Sequence, residues 1–339
     1  MTLLLAGDIG GTKTLLSLYG TRGSGLEPLR ETRFVSAEWT DLALMVREFL
    51  AQSRAAGLGH PEAACLAVAG PVVGGQARLT NLPWGPLVET ALEEACAIPR
   101  LDLVNDFAVL VYGLPHLEAA QLAEVRAGSP AQGEPLLVLG AGTGLGVAIG
   151  VPSGGELLAL ATEGGHGTFA PRTEEEWRLS QWLKADLGTE RLSIERVVSG
   201  TGLGAVARWL LAERHPEGDH PLCPLARGGD SVDLPAAVAA AAAAGDGLAM
   251  EARQLWLGAY GSVAGDLALT TLPRGGIWLA GGTAGSQLEG LRSPAFLEPF
   301  LAKGRLGVQL EPIPVQAIID PAVGVFSAAC RARMLLGGG

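Results

Sequence analysis

Three apolar segments of this chain each run directly into a glycine turn that contains a Gly-Thr pair. The pairs are Gly11-Thr12, Gly142-Thr143 and Gly282-Thr283. The segments before them are Leu3–Ala6, Leu136–Leu139 and Gly276–Ala280. With 49 glycines in the chain, such pairs also arise by chance, but these three stand directly after predicted buried strands. Short apolar runs alternate with helical periods elsewhere, so the sequence predicts an α/β protein.

Further expectations concern single elements. Gly10 and Gly11 permit positive φ in the first turn. Thr40 is a candidate cap of the helix predicted over 41–55, and the segment from Gly113 to about Pro135 is typical of a linker. Strands are also predicted over Arg30–Val35 and Val315–Ile318.

The first turn, Gly7-Asp-Ile-Gly-Gly-Thr12, predicts a phosphate site, because successive backbone N–H groups in such a turn bind anions. Asp8 would repel a phosphate unless a cation lay between them. Mg²⁺ keeps several waters and binds through one or two carboxylates plus phosphate, so we expect Asp8 to hold Mg²⁺ through water. The alternative is an ordinary hairpin with a solvated aspartate.

Two other phosphate motifs do not fit the chain. No lysine lies between a glycine and a Ser or Thr, as a Walker A loop requires. The glycines of Gly140–Gly146 run into the strand-like segment Val147–Val151, whereas a dinucleotide-binding turn opens a helix.

Asp106 directly follows the predicted strand Leu101–Asn105. Ligands of open α/β sheets bind beyond the carboxyl ends of the strands. Phosphoryl transfer to an alcohol needs one group that accepts the hydroxyl proton, and a carboxylate at this place suits that role. Two interpretations stay open from the residues alone: a catalytic base, or a cap of the helix that begins at Phe107.

Glu163 and His166 share a loop with Gly164 and Gly165 between them. Carboxylate and imidazole groups hydrogen-bond to sugar hydroxyls, and the glycines let the backbone come close to a ligand. The alternatives are a histidine satisfied in the core and a solvated loop acid. Glu195 is far from both in sequence, so only the fold can bring it to them.

The composition narrows the classes of function. The net charge of −11 speaks against nucleic-acid binding, which needs a positive patch. Four scattered cysteines are typical of free thiols in a reducing compartment. No apolar run is long enough for a membrane span and the first residues lack a positive region, so we expect a cytoplasmic protein without a signal peptide.

Taken together, six motifs resemble those of the bacterial glucokinases, in the proteobacterial-type, non-ROK group of the hexokinase–actin superfamily. They cover nearly the whole chain in the family's order. They are Gly7-Asp-Ile-Gly-Gly-Thr12, Leu103-Val-Asn-Asp-Phe107, Gly140-Ala-Gly-Thr-Gly-Leu-Gly146, Glu163-Gly-Gly-His166, Glu195-Arg-Val-Val-Ser-Gly200 and Leu279-Ala-Gly-Gly-Thr283. Lys13, where this group often has Asn, is more like the ROK relatives, but no cysteine cluster for zinc follows His166.

The resemblance implies a two-lobed actin-like ATPase, or ribonuclease H-like, α/β fold with an interlobe cleft. Residues 1–115 would form a small lobe that the C-terminal helix, about 319–339, completes, and residues 116–318 would form a large lobe. It further implies phosphorylation of glucose by ATP with Mg²⁺, and a homodimer.

The resemblance also assigns roles to residues. Asp106 would be the catalytic base. The sugar ligands would be Asn105, Asp106, Glu163, His166 and Glu195. The ATP-binding residues would be Gly7, Asp8, Ile9, Gly10, Gly11, Thr12, Gly142, Thr143, Gly144, Gly281 and Gly282. Three rival functions stay open: a kinase for mannose, fructose or an amino sugar, a sugar-sensing regulator, and an actin-like filament protein that turns over nucleotide without a sugar.

Overall fold

The computed structural model describes residues 1–23, 25–79, 81–228 and 233–337, in which strands and helices alternate as predicted. Contacts within the chain divide it into two units. The first comprises Met1–Glu118, Ala148–Ala161 and Asp320–Gly339, and the second comprises Ala119–Val147 and Thr162–Ile319. The sequence-based boundaries had placed residues 148–161 with the second unit. The end of the predicted C-terminal helix, 338–339, lies outside the described residues.

The strands of the described residues are β1 (Leu3–Ile9), β2 (Lys13–Arg22), β3 (Gly25–Val35), β4 (Ala63–Val68), β5 (Val72–Val73), β6 (Gln76–Ala77), β7 (Leu87–Val88), β8 (Leu101–Asn105), β9 (Leu122–Arg126), β10 (Leu136–Ala141), β11 (Leu145–Ser153), β12 (Glu156–Thr162), β13 (Gly276–Ala280) and β14 (Val315–Ile318).

The α-helices of the same residues are α1 (Leu42–Ala55), α2 (Glu89–Cys96), α3 (Leu110–Gly113), α4 (Glu174–Leu187), α5 (Gly200–Arg214), α6 (Cys223–Ala226), α7 (Leu234–Ala243), α8 (Gly247–Thr271), α9 (Gly282–Ser286), α10 (Leu288–Leu291), α11 (Pro294–Leu301) and α12 (Val323–Met334).

The first unit is built on a five-stranded sheet in the order β3-β2-β1-β4-β8. The strand β1 pairs antiparallel with β2 and parallel with β4, and β4 pairs parallel with β8. Every residue of β4 is buried, as is typical of a central parallel strand that is covered on both faces. Its alternate residues Ala64, Leu66 and Val68 pack in one core with α1 and α2, and α12 packs against β1 and β4.

Four strands of a six-stranded sheet lie in the second unit, in the order β10-β13-β14-β9. The strands β10, β13 and β14 run parallel, and β9 pairs antiparallel with β14. The 25-residue helix α8, which Asp246 caps, packs against α5, α7 and α11. Its Trp256 and Tyr260 form an aromatic core with Phe296, with ring centroids 5.4 Å apart in both neighbouring pairs.

Three sequence-based predictions differ from the structure. The segment 113–135, predicted as a linker, contains β9, whose short run LAEVR shows no clear alternation. The cap of α1 is Asp41, whose carboxylate accepts from Ala43 N, and not Thr40. Gly10 and Gly11 do not adopt positive φ. Close packing favours glycine at these two positions, because a Cβ would lie 3.0 Å from Lys13 O and 3.3 Å from Asn81 Cβ.

Candidate active site

The first glycine turn and Asp106 lie at the same edge of the five-stranded sheet. Register pairs Ile9 with Val68 and Val68 with Asn105, so the carboxyl ends of β1, β4 and β8 coincide. Backbone hydrogen bonds continue this alignment past the strand ends, from Ala69 N to Ile9 O at 3.1 Å and from Asp106 N to Val68 O at 3.0 Å. The first unit therefore brings together the predicted phosphate turn and the predicted base.

Two buried hydroxyl groups that the sequence reasoning missed support the first turn. Ser36 Oγ donates to Gly10 O at 2.8 Å and lies 3.0 Å from Thr14 Oγ1. Ser36 N also donates to Thr12 O at 3.1 Å. Both side chains are fully buried, so these bonds hold the turn in one conformation. A Ser directly after the predicted strand that ends at Val35 was the one signal available in the sequence.

Asp8 is the one exposed residue of β1. Desolvation by the surrounding chain raises the pKa of its carboxyl, and the positive charge of Lys13 acts in the opposite direction. Because the side chain also reaches solvent, water screens part of this effect. A solvent-accessible carboxylate beside a glycine turn fits a hydrated divalent cation, which would also offset the cost of the ionised form.

Asn105 and Asp106 form a hydrogen-bonded pair. Asn105 Oδ1 accepts from the backbone N–H groups of Phe107 and Ala108, both at 3.0 Å. Its Nδ2 donates to Gly70 O at 3.1 Å and to Asp106 Oδ1 at 3.0 Å. Asn105 is thus the residue that caps the turn after β8, which was one of the two roles considered for Asp106. The half-buried Asp106 carboxylate is oriented by its neighbour.

The two remaining nucleotide turns meet at one edge of the six-stranded sheet. The parallel strands β10 and β13 end together, with Gly140 opposite Ala280. The residues 142–144 and 281–283 follow them, and Thr283 Oγ1 donates to Ala141 O at 2.7 Å. Gly281 has a φ of 82°, which favours glycine there. The second unit therefore brings together the two predicted ATP-binding turns, although Gly281 of one turn is 138 residues beyond Thr143 of the other.

Glu163, His166 and Glu195 form one cluster in the second unit. His166 Nδ1 lies 3.6 Å from Glu195 Oε1, and Nε2 lies 3.7 Å from Glu163 Oε2. These distances are longer than hydrogen bonds, so the three groups keep capacity for other partners. The side chains of Glu163 and His166 are 60% and 55% exposed, and that of Glu195 is 20% exposed. Exposed carboxylate acceptors grouped with a ring nitrogen in this way suit a polyhydroxylated ligand.

Close packing fixes the loop that carries Glu163 and His166. Thr162 Oγ1 donates to Val147 O at 3.0 Å and accepts from Gly164 N at 3.2 Å. A Cβ on Gly165 would lie 2.0 Å from Leu145 O, so only glycine fits there. The sequence reasoning missed Arg191, whose guanidinium donates to His166 O at 2.7 Å.

Within 1–23, 25–79, 81–228 and 233–337, no three or more His, Cys, Asp or Glu side chains cluster as metal ligands do. A hydrated Mg²⁺ held by one carboxylate and phosphates needs no such cluster.

In the same described parts of the chain, no helix is both long and apolar enough to span a bilayer.

Known proteins resemble the chain over nearly its full length. A family model described as Glucokinase matches residues 5–335. The glucokinase of Nostoc punctiforme is 40% identical over 345 residues, which cover 98% of this chain and 100% of that relative. The glucokinase of a Synechocystis strain is 42% identical over 349 residues, which cover 97% and 98%.

A solved structure agrees with these sequence relatives. The crystal structure of a glucokinase from an Antarctic psychrotroph matches with a TM-score of 0.82 and 27% identity, over 98% of this chain and 99% of that one. The predicted α/β fold, the actin-like ATPase fold of such sugar kinases, is thereby confirmed.

Proposed function

Because the chain belongs to the glucokinase family, we propose that it transfers the γ-phosphoryl group of ATP to the C6 hydroxyl of D-glucose, giving glucose 6-phosphate and ADP. The observation that carries this proposal is the grouping of polar side chains and glycine turns at the carboxyl ends of parallel strands in each unit. Ligands of α/β sheets bind at such ends, and phosphoryl transfer needs anion-binding turns and a base there.

The roles of the residues follow from their chemistry. The sugar hydroxyls bind Asn105, Glu163, His166 and Glu195. Asp106 accepts the proton of the C6 hydroxyl as that oxygen attacks the γ-phosphorus, and the hydrogen bond from Asn105 holds its carboxylate in place.

The nucleotide occupies the glycine turns. Its phosphates bind the N–H groups of Gly7, Asp8, Ile9, Gly10, Gly11 and Thr12 and of Gly142, Thr143 and Gly144, and its adenosine lies by Gly281 and Gly282. Asp8 would hold Mg²⁺ through water, and the ion would supply positive charge beside the β- and γ-phosphates.

The biological setting follows from the reaction. Phosphorylation of glucose is the first step of glycolysis, and we place the protein in the cytoplasm, where ATP and glucose meet. We further propose that it forms a homodimer, as the family resemblance implies.

Replacing Asp106 by Ala tests the mechanism. We expect turnover to fall about 10²–10⁴-fold, the usual contribution of a general base, while glucose binding largely survives. A coupled ADP assay gives the rate, and calorimetric titration gives the glucose affinity. Glu27→Gln, which removes an exposed carboxylate of the same unit, is the control and keeps full turnover. Near-normal turnover of the Asp106→Ala enzyme would remove Asp106 from the role of base.

The same coupled assay on a panel of sugars tests the substrate. We expect the highest kcat/KM for glucose, with mannose, fructose and glucosamine turned over less well. A higher value for one of these sugars would reassign the substrate within the hexose kinases. ATP hydrolysis that does not depend on any hexose would indicate a filament protein, and sugar binding without turnover would indicate a regulator.

A further inference from the structure

The segment Glu195–Thr201 contacts two residues of the second phosphate turn through its carboxyl-terminal end. Gly200 N donates to Gly142 O at 2.6 Å. Thr201 Oγ1 donates to Thr143 O at 2.8 Å and lies 3.0 Å from Ser199 Oγ. The first residues of α5 therefore fix the carbonyl groups of the turn, which sets the direction of its N–H groups.

The other end of the segment touches the third residue of the same turn. A Cβ on Gly144 would lie 2.6 Å from Glu195 Oε2 and 3.6 Å from Glu195 Cδ. The second carboxylate oxygen, Oε1, lies 3.6 Å from His166 Nδ1. One carboxylate thus stands between the phosphate turn and the imidazole of the sugar cluster.

The segment is held as a rigid piece between its two ends. Val197, Val198 and Ser199 are buried. Ser199 O accepts from the indole Nε1 of Trp256 at 2.8 Å. A Cβ on Gly202 would lie 2.1 Å from Val197 O, so the following helix is packed tightly against the segment. Because this packing leaves the segment no room to deform, a displacement of the phosphate turn is transmitted along the segment to Glu195.

We infer that the segment Glu195–Thr201 couples the second phosphate turn to the sugar cluster, with Gly144 and Thr201 as positioning residues of the reaction. This inference rests on the proposed function. Gly144 acts by leaving space for the Glu195 carboxylate, and Thr201 acts by holding the Thr143 carbonyl. A site that couples two ligands in this way raises the affinity for each when the other is bound, by the same factor.

Gly144→Ala and Gly247→Ala form a matched pair for the sugar side. Neither glycine has a positive φ, and a Cβ on Gly247, the first residue of α8, meets nothing within 4 Å. The clash at 144 is with the end of a flexible side chain, so the fold survives and the Glu195 carboxylate moves instead. We expect Gly144→Ala to bind glucose about tenfold or more weakly without nucleotide, as for loss of a charged hydrogen bond, and Gly247→Ala to bind it within about twofold of the parent.

Thr201→Val and Thr201→Ser form the pair for the nucleotide side. Valine keeps the shape but loses the hydroxyl, and serine keeps the hydroxyl. We expect Thr201→Val to bind ADP about 2–10-fold more weakly, the range for one neutral hydrogen bond, and Thr201→Ser to restore the parent affinity. We also expect the gain in ADP affinity on adding glucose to shrink in Thr201→Val and to stay unchanged in Thr201→Ser.

Calorimetric titrations of glucose and ADP, each with and without the other, decide the inference. Equal glucose affinities of Gly144→Ala and Gly247→Ala would overturn the role of Gly144. The role of Thr201 would be overturned if Thr201→Val bound ADP as tightly as the parent and showed the same gain in ADP affinity on adding glucose. This test stands even if a variant at 144 failed to fold. If the parent protein bound neither glucose nor ADP, the proposed function itself would fail. A parent that binds both, with variants like the parent, would overturn only the coupling.

Discussion

The Asp8 carboxylate carries a cost in stability that its proposed function explains. The pKa of Asp8 is raised chiefly by desolvation, so its ionised form is less favourable in the folded chain than in the unfolded chain. The proposed cation would remove that cost only when ligands are bound. In the ligand-free protein the cost is present whenever Asp8 is ionised.

Asp8→Asn should therefore raise the melting temperature of the ligand-free protein at neutral pH, by about 1–2 °C, while turnover is lost. A carboxyl whose pKa is raised on folding destabilises the fold above that pKa. The difference between the melting temperatures of the two proteins should narrow as the pH falls and should close below the ordinary value of 3.8, where Asp8 is protonated in both states. Thermal melts across pH measure this.

Asp219→Asn is the control of opposite sign for that experiment. A hydrogen bond from His215 lowers the pKa of Asp219, so its ionised form is favoured by folding. The variant should melt no higher than the parent at neutral pH. An Asp8→Asn protein that also melts no higher, or that melts higher by the same amount at pH 4 as at pH 7, would contradict the argument for Asp8.

For single residues, the sequence predicted well which residue types serve the site, but it predicted poorly which side chains contact one another. A carboxylate after Asn105 is visible in the sequence, but only the backbone direction after β8 decides that Asn105 caps the turn while Asp106 lies beside it. Likewise Glu195 is 29 residues beyond His166 (195 against 166), and only folding brings the two within 3.6 Å. Side chains that contact each other across several intervening secondary-structure elements leave no local pattern in the sequence.

Among the secondary-structure elements, the strands that carry the site were the most predictable. β8, β13 and β14 have the predicted bounds, because each is a short apolar run that ends in a turn signal. β9 was missed because its place in the sheet depends on pairing with β14, which is nearly 200 residues away. Long-range pairing decides such an element, and its own sequence does not.

One ion pair between elements should matter for the stability of the first unit. Arg331 of α12 donates through Nε to Asp102 Oδ2 of β8 at 2.5 Å, and its guanidinium lies 4.9 Å from the centre of the Tyr112 ring. The side chains are 26% and 20% exposed. We expect Arg331→Met to lower the free energy of unfolding in urea by about 2 kcal/mol, because it leaves a largely buried carboxylate unpaired.

Two further variants control that measurement. Arg22→Met breaks the exposed pair with Glu27, 3.7 Å apart, and should cost less than about 0.5 kcal/mol. Asp102→Asn combined with Arg331→Met should recover part of the loss, since no unpaired charge is left. Equal losses for Arg331→Met and Arg22→Met would show that the pair with Asp102 contributes little.

At the scale of the whole molecule, the four cysteines are free and buried in both units. Burial raises the pKa of the Cys96 thiol to about 11 and that of Cys330 to about 12, and it raises the pKa of Cys65 well above the ordinary value. The reactive species is the thiolate, so both burial and the raised pKa protect these three thiols, and burial protects Cys223.

Titration with Ellman's reagent at pH 8 should therefore detect fewer than about one thiol per native chain, and all four in guanidinium chloride. The native rate should rise only with conditions that open the fold. Rapid reaction of two or more thiols in the native protein, with an unchanged melting curve, would contradict the buried placement of these cysteines.

The return of the chain to its first unit has a consequence for how the protein is made. The helix α12 packs against β1 and β4, yet it emerges from the ribosome only after the entire second unit. On the ribosome, the sheet of the first unit therefore lacks the helix that covers one of its apolar faces while about 200 further residues are synthesised. This takes some 10–40 s at ordinary elongation rates. An apolar face that is exposed in this way is prone to aggregation, the hazard that chaperones counter. Shortening the delay, by a circular permutant that places α12 before β1, should raise the soluble yield.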